Sequence, residues 1–428
     1  AVNDIVIDTE MHTRAEILRN IALLKDRGES FHIAVVGLVR FDLLSEFLSP
    51  SALKNLIKTI SQTLLSSLGS TIQAAYKGRD RFLLVFDRSY SEVEVVAALE
   101  KMSQRIEKAL ANSSIKRYVR LFGVFADSQQ INVNIQDFMA QMRVFFEHQR
   151  SAQFISFLRY DERVIESYQE KIILSEELFK AIGRNELSLR FQAKVNLQTS
   201  QWSGAEVLLR WFHNKSERYI SPAIFIPIAE QNGHVIDIGR WVIARTCGQL
   251  REWLDQGIEP GPLAVNLSGR QLQEDTTLLE FIKEQLKKHA LQPEHLEFEL
   301  TETFVLADME SCNQRLRAFR EAGLKIYMDD FGAGYSSLGY LAQLEMDGLK
   351  LDRALLTNIE TSGAVQSLLR NVVRLAHELD LKIVAEGIED EFQVDFLKAL
   401  GCEFAQGFHF CKPLEAKEFE LLFAHEST

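Results

Sequence analysis

The stretch Ile326-Tyr-Met-Asp-Asp-Phe-Gly-Ala-Gly-Tyr-Ser-Ser-Leu338 places two adjacent carboxylates where an apolar strand ends. Because strand side chains alternate between faces, Asp329 and Asp330 can share one site only if the backbone leaves the sheet there, which Gly332 and Gly334 would permit. Paired carboxylates at such a corner suit divalent cations, whereas the alternative is a solvated turn with two acids. A protein-kinase site is not supported, because no glycine-rich loop with a strand lysine and no His-Arg-Asp loop precede the motif.

Composition is that of a soluble globular protein. At 428 residues, with 46% hydrophobic and 25% charged residues, the chain is long enough for two to three domains. A net charge of −12 argues against binding to DNA or RNA polymers, although metal ions can neutralise an anionic substrate locally. The four cysteines show no Cys-x-x-Cys spacing, so neither a zinc site nor a disulfide framework is predicted.

Apolar runs stay short of the ~18 residues of a membrane span, and no signal-peptide pattern is present. Both observations predict a cytoplasmic location for these domains. The first residue is Ala1 rather than a methionine, so we expect an excised piece of a longer protein. Whether a missing N-terminal part anchors that parent protein in a membrane stays open.

The first 160 residues alternate between helical and strand patterns, which predicts an α/β sandwich of ferredoxin-like type. Helices are expected near 10–28, 51–67, 91–111 and 133–149, and strands at His32–Arg40, at Arg117–Phe125 and on either side of Lys77–Arg81. Residues Tyr160 to Asn185 are charged and rich in helix formers, and predict a helix connecting residues 1–160 to residues 186–428. Such a helix would transmit orientation better than a flexible linker.

The hairpin tip Tyr76-Lys-Gly-Arg-Asp-Arg-Phe82 resembles the signature of diguanylate cyclase (GGDEF) domains, as does the whole segment 1–160. It departs from the family where catalysis needs metal ligands. Gly37, Val39 and Arg81 stand at positions that the family fills with metal-binding acids, and Arg79 replaces the second glycine. The family's Arg-x-x-Asp inhibitory site is also missing. The resemblance therefore implies a degenerate, non-catalytic domain. A regulatory or dimerising role is favoured, and an inert spacer is the alternative.

From residue 186 onward, eight short apolar runs alternate with helical stretches, which predicts a (β/α)₈ barrel. Each run ends in or contains a polar residue that could face one mouth of the barrel. In chain order these residues are Gln192, Glu206, Asn266, Glu299, Asp329, Lys350, Glu386 and Gln406. Only residues 196–204 separate the first two runs, fewer than a parallel crossover needs, so the first strand is expected to run antiparallel to the second.

The same region, about Leu178 to Leu422, resembles the EAL family of cyclic di-GMP phosphodiesterases. Glu206-Val-Leu-Leu-Arg210 is similar to the family's Glu-Ala-Leu signature and its Glu-x-Leu-x-Arg extension. Further matches are Ser221-Pro-Ala-Ile-Phe-Ile-Pro-Ile-Ala-Glu230, Val265-Asn-Leu-Ser268, Glu299-Leu-Thr-Glu302, the Asp-Asp-Phe-Gly stretch, Leu349-Lys-Leu-Asp-Arg353, Val384-Ala-Glu-Gly-Ile-Glu389 and Gln406-Gly407.

The resemblance implies a two-metal site loaded with Mg²⁺ or Mn²⁺, with Ca²⁺ expected to inhibit. Its ligands would be Glu206, Asn266, Glu299, Asp329, Asp330 and Glu386. Lys350 would orient the attacking water, Glu386 would complete the cage around metal and water, and Glu302 would steady the loop Asp330–Ser337. Substrate would contact Gln192, Leu208, Arg210 and Gln406, the last of which would also support the cage. The family often dimerises through its barrel, so a homodimer is expected.

Hydrolysis of a phosphodiester fits these residue types, because two metals ~4 Å apart activate water and neutralise transition-state charge without a nucleophilic side chain. Histidine-rich metal sites are not supported, since the ten histidines are scattered. Two departures from the family, Val207 and the pair Ala193-Lys194, remove no expected ligand. The expected activity is hydrolysis of cyclic di-GMP to linear pGpG. A receptor that binds cyclic di-GMP without cleaving it is the main alternative, and a purely structural adaptor is a third.

Overall fold

Three hydrophobic clusters organise the chain, one on each face of an N-terminal sheet and one in the C-terminal region. A computed structural model describes residues 11–69, 71–111, 113, 115, 119–151, 156–307, 309–332 and 338–424. It divides into two compact units, Ala1–Glu170 and Lys171–Thr428. Gly334 and the other central residues of the glycine-rich loop, and the start of the strand expected at Arg117, lie outside the described residues.

A mixed sheet with helices on both faces forms the N-terminal unit. Its helices are α1 (Arg14–Asp26), α2 (Phe41–Phe47), α3 (Pro50–Leu65), α4 (Glu92–Ala109) and α5 (Ile135–Ser151), and its strands are β1 (His32–Leu38), β2 (Ile72–Gly78), β3 (Arg81–Phe86), β4 (Leu121–Asp127) and β5 (Phe157–Arg159). The strand order is β2-β3-β1-β4-β5, antiparallel except for the last pair. Apart from β5, this is the sheet of a ferredoxin-like sandwich.

Every residue of the central strand β1 is buried, because apolar layers cover both of its faces. Helices α1 and α4 begin at capping boxes formed by Thr13 with Glu16 and by Ser91 with Glu94. These reciprocal hydrogen bonds satisfy amide groups that a helix start leaves without partners. The expected helices and strands are present, whereas α2 and the three-residue strand β5 were not predicted because both are too short for a clear periodicity.

The chain then forms helix α6 (Glu162–Ala181), inside the segment 160–185 for which a connecting helix was expected. Apolar side chains near its end, Leu174, Leu178 and Ala181, belong to the core of the C-terminal unit. The boundary between the two units falls within α6.

Eight strands close into a barrel in the C-terminal unit. The strands are β6 (Leu187–Asn196), β7 (Trp202–His213), β9 (Leu263–Asn266), β10 (Leu296–Thr301), β11 (Lys325–Phe331), β12 (Gly348–Leu351), β13 (Lys382–Ala385) and β14 (Phe404–Ala405), and a short strand β8 (Arg218–Ile220) pairs with the outer edge of β7. Around them lie α7 (Pro222–Asn232), α8 (Val235–Asp255), α9 (Gly269–Glu274), α10 (Leu278–Lys288), α11 (Glu302–Ala307), α12 (Met309–Glu321), α13 (Arg353–Leu356), α14 (Gly363–Glu378), α15 (Glu391–Ala399) and α16 (Ala416–Ala424).

The direction of β6 distinguishes this barrel from one made of eight parallel strands. It pairs antiparallel with both neighbours, β7 and β14, while the remaining pairs around the barrel are parallel. The predicted antiparallel first strand is therefore confirmed. The strand expected over Phe404–Phe410 is shorter, because only two residues pair as β14 before the chain turns at Gly407. A side chain at Gly407 would overlap the backbone of Ile388, so the turn requires glycine.

Within the described part of the chain, no helix is both long and apolar enough to cross a membrane.

Candidate active site

One mouth of the barrel collects a polar side chain from each of its eight strands, six of them within the strand and two from the residue that directly follows it. Cross-strand pairing sets Gln192 opposite Glu206 and Asn266 opposite Glu299. Lys350 lies in β12, while Glu386 and Gln406 directly follow β13 and β14. Since the carboxyl ends of parallel strands meet at one face of a barrel, residues far apart in sequence converge there.

Lys350 lies at the centre of the cluster and is 1% exposed. Its Nζ lies 2.6 Å from Glu386 Oε1, 2.8 Å from Glu299 Oε2, 3.1 Å from Asp329 Oδ1 and 3.5 Å from Glu206 Oε2. One ammonium thus contacts four carboxylates. Burial alone would lower the pKa of Lys350, but these carboxylates outweigh it and raise the pKa well above its ordinary value. Lys350 therefore stays a cation and a hydrogen-bond donor at neutral pH.

The surrounding carboxylates differ in their ionisation because a single ammonium cannot neutralise all of them. Burial raises the pKa of Glu299 well above its ordinary value and that of Glu386 to about 7, although Lys350 opposes both shifts. Burial also acts on Glu206, but Lys350, Asn266 and Gln406 outweigh it, so its pKa lies below the ordinary value. A cation that binds at Glu386 would therefore compete with a proton near neutral pH.

Two side-chain amides orient this cluster. Asn266 Nδ2 donates to Glu206 Oε1 at 2.8 Å, and Gln406 Nε2 donates to Glu206 Oε2 at 2.7 Å and to Glu386 Oε1 at 2.9 Å. Gln406 is 4% exposed, and its Oε1 has no hydrogen-bond partner among the described residues. A buried acceptor left without a donor costs free energy, which marks this corner of the site as suited to a cation or a water molecule.

Asp329 and Asp330 share the site because the backbone is irregular between them. The pairing of β11 with β12 shifts between Met328 and Phe331, and Asp330 has a positive φ of 56°. The bend predicted from Gly332 and Gly334 therefore begins two residues before Gly332, at Asp330 itself, and Gly332 continues it with φ 93°. Carboxylate oxygens of Asp329, Asp330 and Glu386 lie within 4.8 Å of one another, a spacing that one metal ion could span.

Glu302 is the first residue of α11 and is 5% exposed. Its carboxylate accepts hydrogen bonds from the Gly332 amide at 3.3 Å and from the Tyr340 hydroxyl at 2.5 Å. Those two donors flank the segment 333–337, which lies outside the described residues. Glu302 thus contacts both described ends of the glycine-rich loop rather than the cluster around Lys350.

The residues expected to contact substrate surround the cluster. Leu208 and Arg210 line a cavity of about 270 Å³ that also includes Asn266 and Glu299. The Arg210 guanidinium donates to the Leu209 carbonyl at 2.9 Å, and Gln192 donates to the Cys411 carbonyl at 3.2 Å. The structure therefore brings together Glu206, Asn266, Glu299, Asp329, Asp330, Lys350, Glu386 and Gln406, with Arg210 and Leu208 in the adjoining cavity.

Sequence reasoning missed a buried ion pair inside the barrel, between Lys194 and Glu297. Lys194 had been noted only as a departure from the family pattern, and Glu297 had no assigned role. The signal that could have found Glu297 is its spacing, because a glutamate two residues before Glu299 shares the same inward face of β10.

A second missed residue, Arg150, lies in the N-terminal unit. Its Nη2 lies 2.8 Å from Asp80 Oδ2, and Asp80 is fully buried and also accepts from the Leu38 amide at 2.7 Å. Arg150 packs 4.6 Å from the centre of the Phe146 ring. A side chain at Gly37 would lie 2.8 Å from both charged groups, so the absence of a Cβ there makes room for the pair. A guanidinium thus neutralises the buried acid of the hairpin tip between β2 and β3.

Comparison with known proteins adds independent evidence. The model of the EAL domain family matches residues 175–413. Over 250 residues the chain is 38% identical to the bifunctional diguanylate cyclase/cyclic di-GMP phosphodiesterase MucR of Pseudomonas aeruginosa, covering 58% of this chain and 36% of MucR. Over 376 residues it is 30% identical to the cyclic di-GMP phosphodiesterase PdeR of Escherichia coli, covering 85% of this chain and 54% of PdeR. The chain therefore spans about half or less of these two relatives.

Among solved structures, the PaMucR phosphodiesterase in complex with c-di-GMP superimposes with a TM-score of 0.54 at 38% identity, covering 57% of this chain and 98% of that structure. The closed barrel, the carboxylates around Lys350 and the match over residues 175–413 lead to the same conclusion. This chain belongs to the EAL domain family.

Proposed function

We propose that the barrel hydrolyses cyclic di-GMP to linear pGpG with the help of two divalent cations, Mg²⁺ or Mn²⁺. The observation that carries the proposal is the contact of one buried ammonium with four carboxylates at the barrel mouth. Support comes from the relatives that are named cyclic di-GMP phosphodiesterases and from the MucR structure with that nucleotide bound.

The donor set fits divalent cations. With all five ionised, the carboxylates of Glu206, Glu299, Asp329, Asp330 and Glu386 would carry five negative charges against the single positive charge of Lys350, and two divalent cations would neutralise the remaining four. Oxygen ligands are those that Mg²⁺ and Mn²⁺ prefer. Asn266 and the unpartnered Gln406 Oε1 add neutral oxygens beside these acids. Bound cations would lower the pKa of the attacking water and neutralise charge on the phosphodiester. Ca²⁺, which accepts looser geometry, is expected to inhibit.

Each remaining residue has a role that its contacts support. The Lys350 ammonium, held among the acids, would donate a hydrogen bond to the attacking water and so orient it. Glu386, whose pKa is raised to about 7 by burial, contacts both Lys350 and Gln406 at the open side of the cage. The Arg210 guanidinium, with its fork of donors, suits a phosphate oxygen, and Leu208 lines the same cavity. Gln192 and Gln406 would contact the nucleotide from the neighbouring strand ends. Glu302 steadies the glycine-rich loop through Gly332 and Tyr340.

We assign residues 1–160 as a degenerate GGDEF domain. A connecting helix over 161–185 and the EAL barrel over 186–428 follow it. The ferredoxin-like sheet of the N-terminal unit supports the GGDEF assignment. The pairing of Asp80 with Arg150 supports a non-catalytic role, because a guanidinium takes the charge that a metal ion would otherwise neutralise. A regulatory effect on the barrel and a homodimer formed through the barrel belong to the same proposal. The chain's negative charge does not favour DNA or RNA as a partner.

One experiment tests the enzymatic proposal. The purified chain is incubated with cyclic di-GMP and Mg²⁺, Mn²⁺ or Ca²⁺, and the products are separated by chromatography. We expect pGpG with Mg²⁺ or Mn²⁺ and none with Ca²⁺. Tight calorimetric binding of cyclic di-GMP without release of pGpG under any of these conditions would reject the enzyme and establish the receptor.

A further inference from the structure

A buried ion pair lies deeper in the barrel than the carboxylates of the proposed metal site. Lys194 in β6 is 3% exposed and Glu297 in β10 is 7% exposed, and the Lys194 ammonium is in direct contact with Glu297 Oε2. The Tyr327 hydroxyl is also hydrogen-bonded to Glu297, and the Lys194 Nζ lies 5.8 Å from the centre of the Tyr327 ring. Such desolvated charges are costly unless each is paired.

Strand directions show where this pair sits. Glu297 precedes Glu299 by two residues in β10, so the two share a face and Glu297 lies farther from the mouth. Lys194 follows Gln192 by two residues in β6, which runs the opposite way, so Lys194 is also the deeper residue. The pairing of β6 with β7 is irregular between Ala193 and Val195, which places Lys194 at a bulge. Bulges redirect single side chains.

Both charges lie directly below proposed cation ligands. The Lys194 Cε would lie 3.2 Å from a Cβ added at Gly204, which precedes Glu206 by two residues in β7, and Glu297 precedes Glu299 by two residues in β10. Glu297 offsets the charge of Lys194 from the same depth. Inside a barrel interior from which water is excluded, an uncompensated charge acts more strongly than it would in water.

We propose that Lys194 and Glu297 are positioning residues of the metal site, and that the balance of their two charges sets how strongly the carboxylates at the mouth bind divalent cations. This inference rests on the proposed metal-dependent function. Glu297 keeps Lys194 neutralised, and loss of the carboxylate would leave a buried ammonium that competes with bound cations for the same acids. Loss of both charges would restore the balance.

The test measures cation binding directly, without nucleotide. Mn²⁺ is titrated calorimetrically into the full chain, into Glu297→Gln, and into the double variant Lys194→Met/Glu297→Gln. Glutamine keeps the size of the side chain and an acceptor for Lys194 and the Tyr327 hydroxyl. We expect Glu297→Gln to weaken Mn²⁺ binding by at least about tenfold, as an added positive charge in a poorly solvated interior should. The double variant should return to within about threefold of the wild type.

Asp255→Asn serves as the charge-matched control, because Asp255 forms an exposed pair with Arg251 at the end of α8. It should leave Mn²⁺ binding unchanged. Unchanged binding in Glu297→Gln would overturn the inference, and so would a double variant as weak as the single one, since lost packing would then explain both. If Glu297→Gln fails to fold by circular dichroism, Lys194→Met replaces it and must bind Mn²⁺ at least as tightly as the wild type; weaker binding overturns the proposal.

The result is separable from the proposed function. A wild type that binds Mn²⁺ and shows the expected variant pattern but releases no pGpG would refute hydrolysis and support the charge balance. A wild type that hydrolyses cyclic di-GMP while Glu297→Gln binds Mn²⁺ normally would support hydrolysis and refute the charge balance. A wild type without any Mn²⁺ binding would overturn both.

Discussion

Asp330 combines an unusual backbone with a charge at the barrel mouth. Its φ of 56° lies in the left-handed region, where aspartate and asparagine are tolerated better than other non-glycine residues. Burial raises its pKa, and the neighbouring carboxylates of Asp329 and Asp352 raise it further. The residue therefore holds a charge where charge is unfavourable without cations. Its removal should affect chemistry more than folding.

Asp330→Asn is expected to slow the release of pGpG by about 10²–10⁴-fold, because losing ~3–5 kcal/mol of transition-state stabilisation has that effect on the rate. Calorimetric affinity for cyclic di-GMP with Ca²⁺ should change much less, since the other ligands and Arg210 remain. Asp380→Asn is the matched control. Asp380 has nearly the same φ, 57°, but is exposed and lies in the turn before β13, outside the acidic cluster. Turnover that is unaffected by Asp330→Asn would contradict the role given to this residue.

Residue spacing alone predicted which side chains reach the mouth, because one polar residue per strand end defines a single face. It could not predict that Lys350 contacts acids from four other strands, since these distances depend on the curvature of the closed barrel. The contact of Arg150 with Asp80 could not be predicted from the sequence either. Arg150 lies 70 positions from Asp80 in the sequence, and no local pattern links an arginine near the end of α5 to a hairpin tip.

Hydrogen bonds between helices and loops hold the residues of the site in place. Glu302 links the start of α11 to both described ends of the glycine-rich loop through Gly332 and Tyr340. Removal of this buried carboxylate would leave both donors without that acceptor, which costs free energy.

Glu302→Ala should therefore reduce turnover by about 10–100-fold, which corresponds to two lost hydrogen bonds of ~1–1.5 kcal/mol each. The Mg²⁺ concentration needed for half-maximal activity should rise as well. Tyr340→Phe removes only one of the two donors and is expected to lose about tenfold or less. Steady-state kinetics over a Mg²⁺ series, with thermal melts of each variant, provide the measurement. An Ala variant whose barrel no longer folds would make Glu302 a structural residue instead.

A second connection fastens α8 to the turn between α9 and α10. Asp275 accepts two hydrogen bonds from Arg240, at 2.6 and 2.7 Å, and its side chain is buried. These hydrogen bonds, opposed by desolvation, lower the pKa of Asp275 below its ordinary value. A depressed carboxyl pKa stabilises the fold above the unfolded-state pKa of ~3.9, and this contribution is lost as the pH falls through the folded-state value.

We predict that Asp275→Asn lowers the free energy of unfolding of the C-terminal unit by about 1–3 kcal/mol at pH 7. The difference from the wild type should shrink as the pH falls below ~4, because the Asp275 carboxyl of the unfolded wild type then takes up a proton before the folded one does, which favours unfolding. Urea titrations at pH 7 and pH 3.5 measure both values. Asp255→Asn, which breaks only an exposed pair, should cost under about 0.5 kcal/mol at either pH. Equal losses for the two variants would refute the assignment.

For the whole molecule, the decisive contrast is between a complete acidic cluster in one unit and an incomplete one in the other. The barrel retains every acid that the EAL resemblance implies. In the N-terminal unit, the positions that the resemblance to GGDEF domains would assign to metal-binding acids hold Gly37, Val39 and Arg81, and Asp80 is paired with Arg150. Under the proposed assignment, synthesis of cyclic di-GMP from GTP would lack the expected metal ligands.

The intact chain should consequently make no cyclic di-GMP when supplied with GTP and Mg²⁺. Because an active barrel would destroy any product, the assay uses the Asp330→Asn chain, in which cyclic di-GMP would accumulate. Chromatography that detects either cyclic di-GMP or pGpG above a blank without protein would disprove the prediction. Regulation by the N-terminal unit is tested by comparing the full chain with one that begins at Tyr160; identical turnover and oligomeric state would argue against it.

The reversed first strand changes where the polypeptide enters the barrel. Leu187, the first residue of β6, pairs with Trp211 near the carboxyl end of β7. In a barrel of eight parallel strands the first strand would begin at the opposite face, remote from the chemistry. Here only residues 182–186 separate the end of α6 from β6, which begins at the face that carries the acidic cluster, and Gln192 follows five residues after Leu187. Rotation or tension applied to α6 would thus be transmitted first to the mouth that holds the proposed metal site, through a connection of five residues.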